Sequence, residues 1–594
     1  MPRRKLPHVP KRIVELVEDL RRKEDRLALA LSLVIGALVG LVVVAFIIIT
    51  GRLAALLYPP GGLGWRRLAI PIVGSLIAGF LLYRYFPLAR GSGIPQTRAA
   101  VFIHDGRISL RSAIGKFIVT AFTLASGIAL GREGPATYIG AGLASSIGRR
   151  LRLSKNQVKW LLPVGAAAAL SAAFNTPIAA VLFTLEEIMG DLHAPVLGSV
   201  VLASATAWMV LHLVLGDNPL FQVAGYHLVS PAELLIYALL GVVGGFVAVA
   251  FVKLLLWLRE RFLRFPAKTL WLQPVAGGIT VGVLGLFIPQ VLGVGYDQVE
   301  RVLNGDMILK TVMLLAAAKI IATAMSYASG NAGGIFGPSL FIGAMVGAAV
   351  GGVAHLAFPA STAGPGAYAL VGMGAAFAGI VRAPLTSVIM IFEVTRDYSI
   401  IVPLMIANLI AFYISYKLQH ETVYESLALQ DGLHLPAGAF RARAGLWVDA
   451  ALRDPPQPLT PEMKVDEATM RIGDSDLESW PVVDEKGLVG MVRVNDVVDA
   501  ATGSQRPVTI ATIMKRGRAL VRDGSAEFPH VHSDQPLGLA LARMGDTGHN
   551  ALPVVSRKNA REMVGIITLV DVLRAYGVDT TRMTPARGSP VVES

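Results

Sequence analysis

Two charged residues, Arg132 and Glu133, stand between glycine and proline in the middle of an apolar stretch, TLASGIALGREGPATYIGAGLASS. A charged side chain at the centre of a membrane helix costs about 2.5–3.5 kcal/mol, so a carboxylate placed there is a functional candidate. Glu133 could carry a proton, and it could compete with an anion for the same hydrogen-bond donors. The alternative is a salt bridge between Arg132 and Glu133 at the membrane surface.

Three short motifs share a pattern of glycines followed by proline: GSGIP (91–95), GREGP (131–135) and GIFGP (334–338). Proline is tolerated in the first turn of a helix, and glycines let the backbone turn just before it. Each motif therefore predicts a helix that begins inside the apolar region. If the three starts converge, their free N–H groups and positive dipole ends would form an anion site.

Two further pairs of charged residues lie in apolar segments. Glu186 and Glu187 end the run TPIAAVLFTLEE. They are either interfacial charges at the end of a helix or a second position for protons that move to or from Glu133. Lys116 and Lys319 either extend to the membrane interface or change the electric field at the site. Spacing alone leaves these alternatives open.

The composition is that of an integral membrane protein. Of the 594 residues, 54% are hydrophobic and 16% are charged, against about 25% charged residues in a soluble domain. The absence of cysteine excludes disulfides, cysteine metal sites and thiol catalysis. Apolar runs that can cross a hydrocarbon core of about 30 Å predict about ten membrane segments, at 27–50, 68–86, 161–185, 195–215, 232–258, 270–293, 311–329, 338–358, 366–392 and 400–416.

Changes in composition predict the domain boundaries. The basic N-terminal segment is expected in the cytoplasm by the positive-inside rule, so the net charge of +13 reflects topology and not a nucleic-acid partner. After about residue 430, short β-branched runs between helical ones predict a soluble α/β domain. The predicted order is a basic segment at 1–26, a membrane domain at 27–430, a linker at 431–445, the α/β domain at 446–577 and a disordered tail at 578–594.

An internal repeat relates two halves of the membrane domain, about 27–215 and 230–430. At an offset of 203 residues, 14 of 26 positions are identical when 116–141 is placed on 319–344. A second match, at an offset of 207, aligns Glu186 with Glu393. Repeated halves with glycine- and proline-interrupted segments are typical of transporters whose site lies between the repeats. Shared helix packing is the alternative, but it explains the small residues and not the charges.

Together these residues resemble the CLC family of chloride channels and chloride/proton exchangers. The three glycine motifs match the family's signatures in order, AAFNTPIAAVLFTLEE matches a fourth stretch, and the resemblance covers residues 27–430. It implies an all-α polytopic fold with an inverted-topology repeat, and a homodimer with one pore per subunit. It also implies gating by Glu133 and inner proton transfer at Glu187, next to Glu186. The implied chloride contacts are Ser92, Gly93, Ile94, Ile335, Phe336 and Tyr424.

The resemblance also favours an exchanger over the alternative, a passive voltage- or pH-gated chloride channel. Channels of the family typically carry an apolar residue at the position of Glu187, whereas many exchangers keep the acid. Ser92 favours chloride, because nitrate-preferring relatives carry proline there. Gln96 is a departure, since the family commonly has glutamate after GSGIP, but it lies outside the implied ion contacts.

The C-terminal domain resembles a tandem CBS pair, about 446–500 and 508–577. Each copy reads as strand, turn, strand and then a helix start that carries an aspartate, Asp496 or Asp571. In the second copy the resemblance implies that Thr568 contacts phosphate and Asp571 the ribose of an adenine nucleotide. The alternative is a purely structural dimerisation module. No GxxxxGK[ST] loop is present, so ATP hydrolysis is not expected.

Two other classes of protein fit the sequence less well. An intramembrane enzyme would need a base beside a nucleophile, but no histidine lies in the repeat motifs. A cation transporter is disfavoured because helix N-termini have the wrong polarity. The sequence thus predicts a transporter with chloride and protons as substrates and with no catalytic residue, required cofactor or metal. It is expected in the cell membrane, with the N-terminus and the CBS domain in the cytoplasm.

Overall fold

The chain forms two compact units, residues 1–439 and 440–594. For residues 11–25, 515, 516, 520, 521 and 546 only the backbone is described. The computed structural model describes residues 11–190, 196–217, 219–223, 226, 228–396, 398–419, 421–433, 446–473, 475–502, 508–516, 520–521, 529–533, 535–556, 559, 561–576 and 578. The predicted linker lies mostly outside these residues, as does the predicted tail apart from residue 578.

The first unit is helical. Its first half contains α1 (Lys11–Leu57), α2 (Arg66–Arg84), α3 (Ile94–Phe102), α4 (Leu110–Ala125), α5 (Glu133–Arg150), α6 (Lys155–Phe174), α7 (Pro177–Phe183) and α8 (Leu197–Leu215). Its second half contains α9 (Glu233–Leu263), α10 (Gln273–Phe287), α11 (Tyr296–Leu303), α12 (Leu309–Ala328), α13 (Phe336–Ala357), α14 (Pro365–Ile380), α15 (Pro384–Thr395) and α16 (Ile401–Leu418). The last helix of the unit is α17 (Val423–Gln430).

The two halves repeat the same order of elements, so that α1 to α8 correspond to α9 to α16. Even the short 3-10 turns that precede α3 and α11 correspond, at Pro87–Ala89 and Pro289–Val291. Gly131 and its repeat equivalent Gly334 form an antiparallel bridge. A contact between a residue and its own equivalent lies on a two-fold axis. The predicted fold class, an all-α membrane domain with an internal repeat of inverted topology, is confirmed.

Eight described helices are long and apolar enough to cross a membrane, and three shorter apolar helices accompany them. Two of the predicted membrane segments, 161–185 and 366–392, are each divided between two helices. The breaks fall before Pro177 and Pro384, which begin α7 and α15. Proline lacks an N–H group and disfavours helical geometry in the preceding residue, so a continuous apolar run ends in two helices. Helices α4 and α5 are absent from the predicted segments, because charges and small residues lower their hydropathy.

Glycines let equivalent helices approach closely in both halves. A Cβ atom at Gly140 of α5 would lie 2.2 Å from the carbonyl oxygen of Gly165 in α6. A Cβ atom at Gly343 of α13 would lie 2.4 Å from the carbonyl oxygen of Gly372 in α14. Small residues at such crossings allow backbone-to-backbone packing, which stabilises helix pairs in membranes. These crossings support the helices whose first turns form the site.

The second unit contains two antiparallel hairpins. In the first, β1 (Ser479–Asp484) pairs with β2 (Gly487–Arg493), which also pairs with β3 (Leu520–Val521). In the second, β4 (Ala551–Val555) pairs with β5 (Met563–Thr568). Each hairpin leads into a helix with an aspartate in its first turn, as the repeated sequence pattern predicts. The unit's helices are α18 (Val465–Ile472), α19 (Val494–Thr502), α20 (Ile510–Arg516), α21 (Leu537–Thr547) and α22 (Leu569–Ala575).

Candidate functional site

The three glycine motifs meet at one place in the membrane unit. Gly131 and Gly334 exchange two backbone hydrogen bonds of 2.7 and 2.8 Å. A Cβ atom at Gly93 would lie 2.5 Å from the carbonyl oxygen of Gly134, and one at Gly134 would lie 2.7 Å from that of Ser92. Only glycine permits this approach. The first turns of α3, α5 and α13 are therefore neighbours, and their positive dipole ends lie close together.

Glu133, the first residue of α5, places its carboxylate on the first turn of α13. The side chain is completely buried. Its Oε2 atom accepts the backbone N–H of Gly337 at 3.2 Å, and its Oε1 atom accepts the hydroxyl of Tyr296. The N–H groups in the first turn of a helix have no partner within the helix, so they bind anions readily. A negatively charged group of one repeat thus lies at a helix start of the other.

Arg132 has partners other than its neighbour Glu133. Its guanidinium lies 5.4 Å from the ring centroid of Tyr296 and donates to the carbonyl oxygen of Ala173 at 3.1 Å. Because Glu133 is buried and bound by Tyr296 and Gly337, the alternative of a surface salt bridge between the two charges does not describe this structure.

The side-chain hydroxyls of Ser92 and Tyr424 are buried near this junction. Ser92 directly precedes Gly93, the left-handed residue before α3, and Tyr424 lies on α17, which packs against α3. Neither hydroxyl has a hydrogen-bond partner among the described residues. Buried hydroxyls are normally paired, so these two are available donors for an anion. Ile94, the first residue of α3, is also buried.

The start of α13 has an apolar surrounding. Ile335 directly precedes the helix and Phe336 is its first residue, and both are buried. The ring of Phe336 lies 4.4 to 5.3 Å, centroid to centroid, from those of Phe174, Phe183 and Phe377. Electrostatic interactions are stronger where water is excluded, so the N–H groups of this turn act on an anion with little screening.

Glu187 forms an ion pair with Arg98 of α3. The Arg98 guanidinium and the Glu187 carboxylate are 2.7 Å apart, and the two side chains are 1% and 3% exposed. Among the described residues, no hydrogen bond links Glu187 to Glu133. Arg98 was not identified from the sequence, although a charge that follows GSGIP in an apolar region is the same signal that pointed to Glu133.

Glu186 faces a different part of the fold from Glu187. Its carboxylate accepts the backbone N–H of Thr386 at 3.0 Å and the Thr386 hydroxyl at 2.7 Å, in the first turn of α15. Residues Thr184–Met189 form a π-helical turn after α7. Adjacent side chains on a helix project about 100° apart, so the two neighbouring glutamates reach different helices.

The two repeat-related lysines are buried and do not extend to an interface. The Lys116 ammonium donates to the carbonyl oxygens of Ala89 and Gly91 at 2.8 and 2.5 Å. The Lys319 ammonium donates to those of Val291 and Gly293 at 3.1 and 2.6 Å. Each lysine therefore holds the backbone that leads into a short helix, α3 in the first repeat and α11 in the second.

In the second unit, Asp571 is already paired. Its carboxylate is 2.7 Å from the Arg453 guanidinium and accepts the Thr568 hydroxyl at 2.5 Å. Arg453 also bonds Asp476 at 2.9 Å. The hydrogen bond from Arg453 lowers the pKa of Asp476, and the one to Asp571 raises the pKa of Arg453. Asp496, the counterpart of Asp571 in the first copy, lies half-buried in the first turn of α19.

A membrane unit made of two repeats, with helix starts and a buried carboxylate at their axis, defines a transport protein with its site between the repeats. A family model described as voltage gated chloride channel matches residues 74–416, and CBS domain models match 448–503 and 521–578. The chain belongs to this chloride channel family and carries a tandem pair of CBS domains.

Among curated proteins, a ClcB-like chloride channel protein of Ralstonia nicotianae is 34% identical over 382 residues, 63% of this chain and 88% of the relative. The H(+)/Cl(-) exchange transporter ClcA of Vibrio campbellii is 32% identical over 367 residues, 60% of this chain and 78% of the relative. A solved slow cyanobacterial Cl−/H+ antiporter is similar with a TM-score of 0.63 and 26% identity, covering 68% of this chain and 97% of its own. A solved eukaryotic CLC transporter is similar with a TM-score of 0.59, and the match covers 92% of this chain and 97% of the transporter. At 20% identity this similarity shows the fold alone.

Proposed function

We propose that this protein exchanges chloride for protons across a membrane. The observation that carries the proposal is the position of the Glu133 carboxylate, which accepts the N–H of Gly337 in the first turn of α13. A site that holds a carboxylate by such donors will hold chloride by the same donors. Relatives named as H(+)/Cl(-) exchange transporters support the proposal.

The exchange follows from competition at this site. Chloride that reaches Gly337 displaces the Glu133 carboxylate, and a displaced carboxylate can take up a proton from one side of the membrane. Ser92 and Tyr424 supply two further hydroxyl donors to the chloride. Glu187 supplies the other end of the proton path, where Arg98 stabilises its ionised form. Because both ions use Glu133, the movement of one drives the other.

A passive chloride channel of the same fold is the second candidate, since a relative of 34% identity is named as a chloride channel protein. We would reconstitute the purified protein in vesicles and impose a chloride gradient with no pH gradient. Uphill proton movement is expected, and Glu133→Ala and Glu187→Val should each abolish it. Glu260→Gln, at an exposed glutamate paired with Arg264, is the matched control. Chloride flux without proton movement in the unmodified protein would support the passive channel instead of the exchanger.

We also propose a homodimer in the cell membrane, with the N-terminus and the CBS domains in the cytoplasm. The family resemblance supports the dimer, and the basic first residues support the orientation. The natural chain has no cysteine, so single cysteines report cleanly on sidedness. A cysteine at Lys486 should react only with a membrane-permeant reagent in whole cells, and one at Leu63 should also react with an impermeant one. Single-molecule photobleaching should give two steps per complex.

For the CBS domains we propose that an adenine nucleotide binds at Thr568 and Asp571 only when Arg453 moves away. The support is the ion pair that Arg453 makes with the Asp571 carboxylate, which would otherwise receive the ribose hydroxyls. Calorimetric titration with ATP should detect tighter binding to Arg453→Ala than to the unmodified protein. Equal binding by both proteins would show that Arg453 does not block the site, and no binding by either would favour the purely structural dimerisation module.

A further inference from the structure

Tyr296 begins the second-repeat counterpart of α3. The segment GVGY (293–296) lies 202 residues after GSGI (91–94), so its two glycines align with Gly91 and Gly93. Gly93 and Gly295 have φ angles of 106° and 86°, and each directly precedes a short helix. The two repeats therefore begin α3 and α11 in the same way. Tyr296 stands at the position that corresponds to Ile94.

The backbone in front of Tyr296 is held in place by buried groups. The Lys319 ammonium donates to the carbonyl oxygens of Val291 and Gly293, and the Gly293 N–H donates to the Gly127 carbonyl oxygen at 2.7 Å. The ammonium also lies 4.6 Å from the ring centroid of Phe341. A buried cation that lost these carbonyl acceptors would be costly, so the segment has little freedom to move.

The Tyr296 side chain is fixed on two sides and points its hydroxyl at Glu133. Its ring packs edge-on against Phe221 at 5.7 Å, and the Arg132 guanidinium lies 5.4 Å from its centroid. The hydroxyl donates to Oε1 of Glu133. A Cβ atom at Gly337 would lie 3.1 Å from this hydroxyl and 3.2 Å from the same carboxylate, so hydroxyl, carboxylate and Gly337 N–H form one cluster.

We propose that Tyr296 is a positioning residue that holds the Glu133 carboxylate at the chloride site and thereby weakens the apparent affinity for chloride. This inference rests on the proposed function, in which chloride must displace that carboxylate. A ligand that competes with a bound group loses apparent affinity by the factor that stabilises the bound group. A hydrogen bond to an ionised carboxylate is among the stronger hydrogen bonds in proteins.

A second tyrosine provides a matched control. Tyr58 and Tyr296 line the same cavity of about 600 Å³, together with Arg132, Arg67 and Gln298. The Tyr58 hydroxyl donates to the carbonyl oxygen of Ser126 at 2.8 Å and not to Glu133. Tyr58→Phe removes a hydroxyl from the same cavity, and both substitutions keep the aromatic ring.

The test is calorimetric titration of chloride into the purified full-length protein and its variants. Tyr296→Phe should tighten chloride binding about tenfold, and Tyr58→Phe should change it by less than about twofold. In a Glu133→Ala background, Tyr296→Phe should change chloride binding by less than about twofold, because the carboxylate that it holds is absent.

Two results would overturn the assignment of Tyr296: an effect no larger than that of Tyr58→Phe, or an equal effect with and without Glu133. The proposed function fails in a different way. If Glu133→Ala leaves chloride binding unchanged, Glu133 does not compete with chloride at all. If Glu133→Ala tightens binding and Tyr296→Phe does not, only the role of Tyr296 is wrong.

Discussion

Glu186 and Glu393 occupy equivalent positions in the two repeats, and each caps the short helix of the other repeat. Glu186 accepts the N–H of Thr386 at 3.0 Å at the start of α15. Glu393 accepts the N–H groups of Ile178 and Ala179 at 2.9 and 2.7 Å at the start of α7. Such reciprocal contacts are what a two-fold axis requires, and they join the halves by their helix dipoles.

We expect Glu186→Ala and Glu393→Ala to lower the stability of the protein by similar amounts, about 1–2 kcal/mol, because each removes a helix cap. Proton coupling should persist in both variants, measured by uphill proton movement in vesicles. Loss of coupling in Glu186→Ala alone would instead support the sequence-based prediction that Glu186 takes part in proton transfer. Glu393→Ala, at the equivalent position of the second repeat, is thus the control for the loss of stability that removing a helix cap causes.

Removing Arg98 should destabilise the membrane unit strongly. Arg98→Leu leaves the buried Glu187 carboxylate without its cation, at an expected cost of about 3–5 kcal/mol. The double variant Arg98→Leu with Glu187→Leu should recover most of this loss. Lys155→Leu, which breaks the exposed pair with Asp105, should cost less than about 1 kcal/mol. Thermal unfolding in detergent measures the stability of the unmodified protein and of the three variants. Equal losses of stability for Arg98→Leu and Lys155→Leu would contradict the prediction.

Gly131→Ala should release Glu133 from the site. Its Cβ atom would lie 2.3 Å from Oε2 of Glu133 and 3.0 Å from the backbone nitrogen of Gly337, and the flexible carboxylate can move more easily than the backbone. Chloride flux should rise and uphill proton movement should fall, as expected for Glu133→Ala. Gly51→Ala on α1 is the control, because a Cβ atom there meets nothing within 4 Å. Unchanged coupling in Gly131→Ala would show that Glu133 tolerates the methyl group.

The pair of Arg453 and Asp476 should stabilise the CBS unit only above acidic pH. The hydrogen bond from Arg453 lowers the pKa of Asp476 below its ordinary value of 3.8. The ionised carboxylate therefore contributes fully above that value, and its contribution is lost as the pH falls below it. Asp476→Asn should cost less than about 1 kcal/mol at neutral pH, because the pair is partly exposed.

Thermal unfolding of the full-length protein at pH 6 and near pH 3 tests this dependence on Asp476. The difference between the unmodified protein and Asp476→Asn should be present in full at the higher pH and should be smaller at the lower one. High salt should also reduce it, because exposed charges are screened. A difference that is the same at both pH values would contradict the assigned cause.

Local signals in the sequence were sufficient for much of the architecture. Glycine frees the backbone at its own position and proline restricts it. GSGIP, GREGP and GIFGP therefore predicted helix starts without knowledge of their neighbours. The repeat followed from identity at a constant offset, and the membrane domain from hydropathy. Glu133 could be identified because a buried charge is costly wherever it lies in an apolar segment.

Only the tertiary structure decided which groups those residues meet. Glu133 and Tyr296 are 163 residues apart, and Arg98 and Glu187 are 89 residues apart. Their contacts depend on how α3, α5, α11 and α13 pack around the axis, and that packing is the sum of many weak contacts. Residue type determined what chemistry each side chain can perform. The three-dimensional arrangement of the helices determined which partner each side chain contacts.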